Sequence, residues 1–445
     1  MTYQSYYPGM QYIAICLVFL FCSASIAYGS GADAGRMEAR IKKLAEFGAS
    51  ETGSQRVAFS DPDLEAREYF ISLMQAAGLK VHIDFAGNII GRRDGKENTR
   101  SPIMFGSHLD TVPNGGAYDG IVGCVAALEV IEVLNENKIA TTYPLEVVVF
   151  SDEEGGLTGS RAMVGKLGPE ALRVKSHSGK TLAEGIRFLG GDPERLGEIK
   201  RKRGDIAAFL ELHIEQGGIL ETEKLNIGIV EGIVGIEWWD VKIEGFANHA
   251  GTTPMKGRRD AVVAGSKFAL AVNEIANSYD GRQVATVGRF RAEPGAPNVI
   301  PGVANLSLEI RDLSKEKIWQ VFRDIEKRAA RIAEETGTKI TFEYVDVAAE
   351  PAIADLAITS LIQAAVRKLG YSYKYMPSGA GHDAQDMAQI ALTGMIFVPS
   401  RGGISHSPLE YTSPEDMARG ANVLIETVLG VDRKPWPLLT ARPAM

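Results

Sequence analysis

Four of the seven histidines lie in or beside polar loops that follow apolar segments: His108, His213, His382 and His406. Imidazole nitrogens at such positions can bind a metal ion or transfer protons near neutral pH. His108 lies two residues before Asp110, and in an extended strand both side chains point to the same side. Asp110 could therefore hold the second imidazole nitrogen of His108 and fix its tautomer for a metal. A purely structural hydrogen-bonded pair is the alternative.

An acidic cluster, SDEEGG at residues 151–156, follows the apolar segment of residues 145–150. Adjacent carboxylates repel each other, so Glu153 and Glu154 at a strand end are costly unless a cation or a proton is shared there. The pair suggests a division of work, in which one carboxylate binds a metal and its neighbour accepts a proton from water. A solvated acidic turn is the alternative.

Two further clusters place histidine beside polar residues, ELHIEQG at residues 211–217 and GGISHSP at residues 402–408. With His108, Asp119 and Glu154, their histidines form a set that suits borderline metals such as zinc and is hard enough for manganese. No dinucleotide-binding glycine motif, phosphate-binding loop or GxSxG nucleophile elbow favours another chemistry. Taken singly, either histidine could instead be a packed core or loop residue.

The elements that would position these loops follow a β-α-β order. Residues 102–105 and 145–150 have the pattern of buried parallel strands, and residues 121–134 that of the helix between them. Residues 207–214 and 395–399 predict further strands, each ending just before a glycine-rich polar loop. We therefore expect an α/β fold with a mainly parallel sheet that binds ligands where its strands end.

Within residues 227–347 apolar and polar residues alternate, which is the pattern of half-exposed antiparallel strands. Two amphipathic helices, one around Phe268 and one around Phe322, accompany these strands. The predicted order β-α-β-β-α-β forms a compact two-layer unit. We interpret it as a smaller α+β domain inserted into a discontinuous catalytic domain of residues 36–226 and 348–445.

The chain has 445 residues, with 48 Lys and Arg against 56 Asp and Glu, and 45% hydrophobic residues. This composition excludes disordered, collagen-like and coiled-coil proteins. A net charge of -8 without a long basic run argues against a nucleic-acid partner.

The first 32 residues carry no charge and include the apolar run from Ile13 to Phe21. This run is far shorter than the roughly 20 residues that cross a bilayer, so we expect no membrane span. Small residues at Ser25 and Ala27 supply a cleavage site, and residues 1–29 are interpreted as a signal peptide that exports the protein. A true start at Met10, or a misread upstream extension, would instead favour a cytoplasmic protein.

Seven motifs occur in a fixed order after Met37: GSHLDTVPNGGAYDG, DEEG, ELHIEQG, NHAG, NVIPG, SGAGHD and the His406 loop. Together they resemble the amidase, hydantoinase and carbamoylase branch of the dinuclear metallopeptidases, which is related to aminoacylase and carboxypeptidase G. The resemblance covers nearly everything after Met37. His213 distinguishes this branch from the peptidase branch, which has a glutamate ligand at the matching place.

The resemblance implies two divalent metal ions, with Zn²⁺ expected and Mn²⁺ or Co²⁺ as alternatives. It assigns His108, Asp119 and His213 to one ion and Asp119, Glu154 and His406 to the other. Asp119 would bridge the ions, and Glu153 would be the general base.

The resemblance also implies that substrate contacts Gln216, His249, Asn298, Arg311 and His382. Arg311 would bind the carboxylate of a small-molecule substrate, for which a guanidinium is well suited. His249 would stabilise the oxyanion, where a hydrogen-bond donor is worth about 3 kcal/mol. From the residues alone, a solvated strand position for Arg311 and a flexible loop position for His249 remain open.

The activity that this resemblance implies is hydrolysis of N-carbamoyl-L-amino acids to amino acid, ammonia and CO₂. Allantoate or ureidoglycolate is the alternative substrate, because such enzymes share the metals and the arginine. A peptidase or N-acyl-amino-acid deacylase conflicts with His213, and a metal-free binding protein conflicts with the complete ligand set. A homodimer is expected, in which the inserted domain is the dimerisation or lid domain and lends a histidine across the interface.

Overall fold

The computed structural model describes residues 31–434, which form a larger α/β domain and a smaller inserted α+β domain. The predicted signal peptide at residues 1–29 lies outside the described residues. Among residues 31–434, no helix has both the length and the apolar character needed to cross a membrane. The α-helices of the larger domain are Ala34–Glu46, Asp61–Ala76, Ile121–Glu136, Thr158–Met163, Leu182–Phe188, Ile219–Glu223, Leu356–Lys368, Asp383–Met387 and Pro414–Asp432.

A nine-stranded sheet forms the centre of the larger domain. Its strands, in spatial order, are Ala352–Ile353, Ile227–Ile233, Leu392–Val398, Ala208–Ile214, Ile103–His108, Leu145–Phe150, Ile89–Arg93 and Lys80–Ile83, with Tyr373–Ser378 also paired to Ile227–Ile233. The four strands at the centre of this order run parallel, whereas its outer pairs are antiparallel. The predicted α/β class is confirmed, and the predicted parallel strands form the middle of the sheet.

The central strands are apolar because helices such as Ile121–Glu136 cover them. Both the helix and the strands Ile103–His108 and Leu145–Phe150 are buried along almost their whole length. A parallel sheet covered by helices on both faces buries both sides of each strand, so its strands are continuous apolar runs. Cys124 in this helix is fully buried in the core.

The inserted domain is a five-stranded antiparallel sheet covered by two helices. The strands are Val284–Thr286, Val303–Asp312, Gly235–Glu244 and Lys339–Ala349 in spatial order, with Phe290–Glu293 also paired to Val303–Asp312. The helices are Ala261–Ser278 and Lys315–Thr336, and they bury their apolar stripes against the sheet. The predicted β-α-β-β-α-β order is present, with one additional strand in this sheet at Phe290–Glu293.

The predicted start of the inserted domain at residue 227 is wrong. The strand Ile227–Ile233 pairs with Tyr373–Ser378 and Leu392–Val398 in the main sheet, and almost all of it is buried. The inserted sheet begins only at Gly235 and ends at Ala349. Two strands that are separated by one residue can belong to different sheets, because sheet membership depends on distant pairing partners rather than on local apolar pattern.

Candidate metal centre and active site

The residues predicted to bind metal lie at the ends of parallel strands, or in the loops that follow them, at one edge of the main sheet. Open α/β sheets bind ligands where their parallel strands end, since neighbouring strand ends bring their loops together. The strand ends contribute His108, His213, the Glu153–Glu154 turn and the His406 loop, and Asp119 precedes the helix that follows His108.

His108, Asp119 and His213 form the first group of candidate ligands. Nε2 of His213 lies 3.0 Å from Oδ1 of Asp119, and Nε2 of His108 lies 3.7 Å from the same oxygen. All three residues are buried. Ligands about 2.0–2.2 Å from a shared ion lie roughly 3–4 Å apart, so this spacing suits one cation.

Asp119, Glu154 and His406 form the second group. Nε2 of His406 lies 3.1 Å from Oδ2 of Asp119 and 3.5 Å from Oε2 of Glu154. The His406 side chain is 48% exposed, so this ligand of the group is accessible to solvent. Asp119 thus directs one carboxylate oxygen to each group.

The chemistry of these side chains fits divalent cations. Nε2 of His108 and Oε1 of Glu154 are buried and have no hydrogen-bond partner. Within residues 31–434, the ion pairs of Asp119, Glu153 and Glu154 are all with histidines rather than with Lys or Arg. A buried carboxylate cluster of this kind is stabilised by a metal ion, and mixed imidazole and carboxylate ligands suit zinc or manganese.

Backbone carbonyl groups set the tautomer of the two buried candidate ligands His108 and His213. Nδ1 of His108 lies 3.0 Å from the carbonyl oxygen of Asp110, and Nδ1 of His213 lies 2.9 Å from that of Ile214. When each Nδ1–H donates to its carbonyl, the lone pair on Nε2 faces Asp119.

The prediction that the Asp110 carboxylate holds His108 is therefore wrong. This carboxylate instead accepts hydrogen bonds from the backbone N–H groups of Glu153 and Glu154, at 3.4 and 3.1 Å. Its nearest distance to Nδ1 of His108 is 3.7 Å, too long for a hydrogen bond. Asp110 restrains the acidic turn, which the sequence pattern did not reveal.

Burial and mutual repulsion shift the pKa values of the acidic pair. Burial and then the charge of Glu154 hold the pKa of Glu153 well above its ordinary value. Burial, followed by the charge of Asp119, raises the pKa of Glu154 to about 8. A hydrogen bond with Asp119 raises the pKa of His406 to about 9. Without cations, the site therefore keeps protons at neutral pH, and bound cations would favour the ionised carboxylates.

Glu153 belongs to neither ligand group but lies beside the first one. Its Oε2 is 3.6 Å from Nε2 of His108, and the residue is 9% exposed. The preceding Asp152 has a φ of 54°, and its carboxylate accepts a hydrogen bond from Thr158. This tight turn directs two consecutive glutamates to different positions around the site.

Two predicted substrate-binding residues, Gln216 and His382, lie at the metal groups. Nε2 of Gln216 donates to Oδ2 of Asp119 at 2.7 Å, and its Oε1 is buried without a partner. His382 is 1% exposed, with its ring centroid 4.5 Å from that of His213. Its Nε2 lies 2.7 Å from Oγ of Ser378, whereas its Nδ1 has no hydrogen-bond partner. Both side chains retain polar atoms that a substrate could use.

Arg311 lies where the inserted domain meets the larger domain. Its Nε and Nη2 donate to the carboxylate of Glu309 at 2.7 and 3.2 Å, and its Nη1 donates to the carbonyl of Gly379 at 2.7 Å. A guanidinium has five N–H groups, so one remains on each terminal nitrogen. Glu309 and Gly379 therefore fix the Arg311 group and leave two donors, the number that a carboxylate accepts in a bidentate contact.

His249 and Asn298 are not brought to the metal groups within this chain. Both are exposed and lie in or beside a short pair of strands in the inserted domain, Asn248–His249 and Val299–Ile300. Nδ1 of His249 accepts hydrogen bonds from the backbone of Gly251 and Thr252, which leaves Nε2 as a donor toward solvent.

Two buried glutamates near the site were not predicted. Glu211 accepts hydrogen bonds from Ser107 and from the backbone of Ala384, and Glu410 accepts from the backbone of Asp119. Glu211 had a local signal, because it lies two residues before His213 on a strand and so on the same side. The contact of Glu410 with residue 119 spans 291 positions and had no such signal.

The chain is similar to hydrolases of known sequence. It is 42% identical over 399 residues to the N-carbamoyl-L-amino acid amidohydrolase of Geobacillus stearothermophilus, covering 88% of this chain and 97% of that protein. It is 37% identical over 421 residues to the ureidoglycolate hydrolase of Arabidopsis thaliana, covering 92% and 88%.

A solved structure and a family model match most of the chain. The crystal structure of an amidase of the hydantoinase/carbamoylase family from Burkholderia multivorans is 34% identical, with a TM-score of 0.85, and the match covers 91% of this chain and 99% of that one. The model of peptidase family M20/M25/M40 matches residues 104–430, which include all the candidate metal ligands. The chain therefore belongs to peptidase family M20/M25/M40.

Proposed function

We propose that this hydrolase cleaves N-carbamoyl-L-amino acids to the amino acid, ammonia and CO₂. The observation that carries the proposal is the pair of ligand groups joined by Asp119, with the buried carboxylate of Glu153 beside them. Identity of 42% with a carbamoyl-amino-acid amidohydrolase supports the choice of substrate.

Two divalent ions complete this site in our proposal, with Zn²⁺ expected and Mn²⁺ or Co²⁺ as alternatives. His108, Asp119 and His213 would hold one ion, and Asp119, Glu154 and His406 would hold the other. Bound there, the ions supply Lewis-acid polarisation of the carbamoyl oxygen and lower the pKa of a water molecule.

The protein's own residues would orient the substrate and move the proton. Glu153 accepts the proton of the attacking water and returns it to the leaving nitrogen, which suits a buried carboxylate beside the ligands. Arg311 holds the substrate carboxylate with its two remaining N–H groups. Gln216 and His382 offer unpaired polar atoms to the carbamoyl end.

The second candidate function is hydrolysis of ureidoglycolate or allantoate. Identity of 37% with a ureidoglycolate hydrolase favours it, and the carboxylate site at Arg311 would serve these substrates equally well. An ammonia-release screen separates the candidates, using N-carbamoyl amino acids, ureidoglycolate and allantoate with the Zn²⁺- and Mn²⁺-loaded protein. N-acetyl amino acids in the same screen, with amino acid release measured, test a deacylase. Turnover of none of these substrates would favour a non-catalytic binding protein.

We also propose that two chains form a homodimer with composite active sites. His249 is exposed and makes its hydrogen bonds within its own loop. Val263 and Leu270, 49% and 65% exposed, lie on the outer side of the inserted domain's first helix. In a two-fold dimer, each inserted domain could place His249 at the metal site of the partner.

Glu153→Gln is expected to retain both metal ions but to lose at least about 10²-fold in kcat, because it removes only the general base. Glu154→Gln, in contrast, is expected to lose the metal ion of the second group in addition to activity. Elemental analysis of the purified proteins and steady-state kinetics provide the two readouts. Near-normal turnover of Glu153→Gln, or loss of its metal, would contradict this division of roles.

Metal binding is expected to release protons at pH 7. The pKa of Glu154 is about 8 and that of His406 about 9 in the metal-free site, so both groups carry protons that a cation must displace. Zn²⁺ affinity should therefore rise as the pH increases from 6 toward 9. Calorimetric titration in two buffers of different ionisation enthalpy should show release of at least about one proton per chain. An enthalpy that does not depend on the buffer would refute the expectation, and His406→Ala should release fewer protons than the wild type.

Mixed dimers of Glu153→Ala and His249→Ala chains test whether His249 acts across the interface. Each mixed dimer would contain one site with both defects and one intact site. Random pairing makes about half the dimers mixed, so co-expression should restore roughly a quarter of wild-type activity. If mixed dimers identified by mass are as inactive as either parent, His249 does not act in the partner's site.

A further inference from the structure

We propose that Glu410 is a positioning residue that fixes the loops of Asp119 and His406 relative to each other, and so sets the metal affinity of the site. The proposal rests on the metal site proposed above. Glu410 lies four residues after His406, in the loop between the strand Leu392–Val398 and the helix Pro414–Asp432. It is 5% exposed, although it lies in a loop.

Both carboxylate oxygens of Glu410 accept hydrogen bonds from the two ligand loops. Oε2 accepts from the backbone N–H groups of Tyr118 and Asp119, at 2.8 and 3.0 Å. Oε1 accepts from Oγ of Ser405, the residue before His406, at 2.8 Å. Ser405 Oγ also lies 2.9 Å from Oδ2 of Asp119. Glu410 therefore acts on the backbone of Asp119 directly, and it shares the single Ser405 hydroxyl hydrogen with the carboxylate of Asp119.

The loop that carries Asp119 has room for the Glu410 carboxylate because of a glycine. A Cβ atom at Gly116 would overlap the Glu410 side chain, so the close approach requires glycine there. Hydrogen bonds from backbone N–H groups to an ionised carboxylate are shorter and stronger than those between neutral groups. The contact thus restrains a loop that lies 291 residues away in sequence.

Glu410 acts through the ligands and is not itself one of them. Among the described residues it belongs to none of the groups that could hold an ion. Asp119 directs one oxygen to each ligand group, so a displacement of its backbone changes the geometry of both. Removing a residue that orients a metal ligand by a hydrogen bond typically lowers metal affinity or activity about 10- to 100-fold.

Zn²⁺ affinity, measured by competition with a chromophoric chelator and without substrate, tests the proposal. Glu410→Ala is expected to bind Zn²⁺ about 10- to 100-fold more weakly than wild type. Glu410→Gln is expected to be intermediate, because its amide oxygen can still accept from both backbone N–H groups but without the charge. Glu415→Ala is the control, since it removes an exposed carboxylate from the first turn of the helix that follows the loop, and it should bind Zn²⁺ like wild type.

The melting temperature of each metal-free variant separates positioning from a general loss of stability. Weaker Zn²⁺ binding by Glu410→Ala at an unchanged melting temperature supports the proposal, whereas wild-type affinity or an equal loss in Glu415→Ala overturns it. If Glu410→Ala does not fold, Glu410→Gln decides: an affinity at least about threefold weaker supports the role, and an unchanged affinity overturns it. Failure of the wild-type chain to bind Zn²⁺ would overturn the proposed metal site, and the role of Glu410 with it.

Discussion

Repulsion among buried carboxylates is the constraint on which the rest of this site depends. Asp119, Glu153 and Glu154 are close together where the parallel strands of the main sheet end, and burial raises the pKa values of both glutamates. No Lys or Arg among residues 31–434 forms an ion pair with these three groups, and three histidines surround them. Cations would turn this costly arrangement into a stable one, because each ion offsets the repulsion and takes up unpaired oxygen and nitrogen atoms.

A second set of buried carboxylates holds the first set in place. Asp110 accepts hydrogen bonds from the backbone of the Glu153–Glu154 turn, and Glu410 accepts from the backbone of Tyr118 and Asp119. These contacts restrain the loops through their main chain, which leaves the candidate ligand side chains free to bind cations. A site built in this way is sensitive to small displacements, since ligand geometry determines metal affinity.

The sequence predicted the fold class, because buried strands leave a local pattern, and the structure brings the proposed ligands together in two groups. Apolar runs such as residues 145–150 indicate buried strands, and polar clusters at their ends indicate the site. Features that depend on distant pairing were missed or misplaced. The strand Ile227–Ile233 joins the main sheet through partners more than 110 residues away, and the Asp110 carboxylate bonds to a turn 43 residues along the chain. The proposed position of His249 involves a second chain, which the pattern of a single chain does not show.

The metal content of three proteins tests most directly whether Asp119 joins the two ligand groups. Wild type, His406→Ala and Asp119→Asn would be equilibrated with the same buffered Zn²⁺ concentration and analysed for zinc per chain. The shared carboxylate predicts about two ions for wild type, about one for His406→Ala and well under one for Asp119→Asn, because Asp119 serves both groups. A wild-type content of one ion or fewer, or an Asp119→Asn content equal to wild type, would contradict this account.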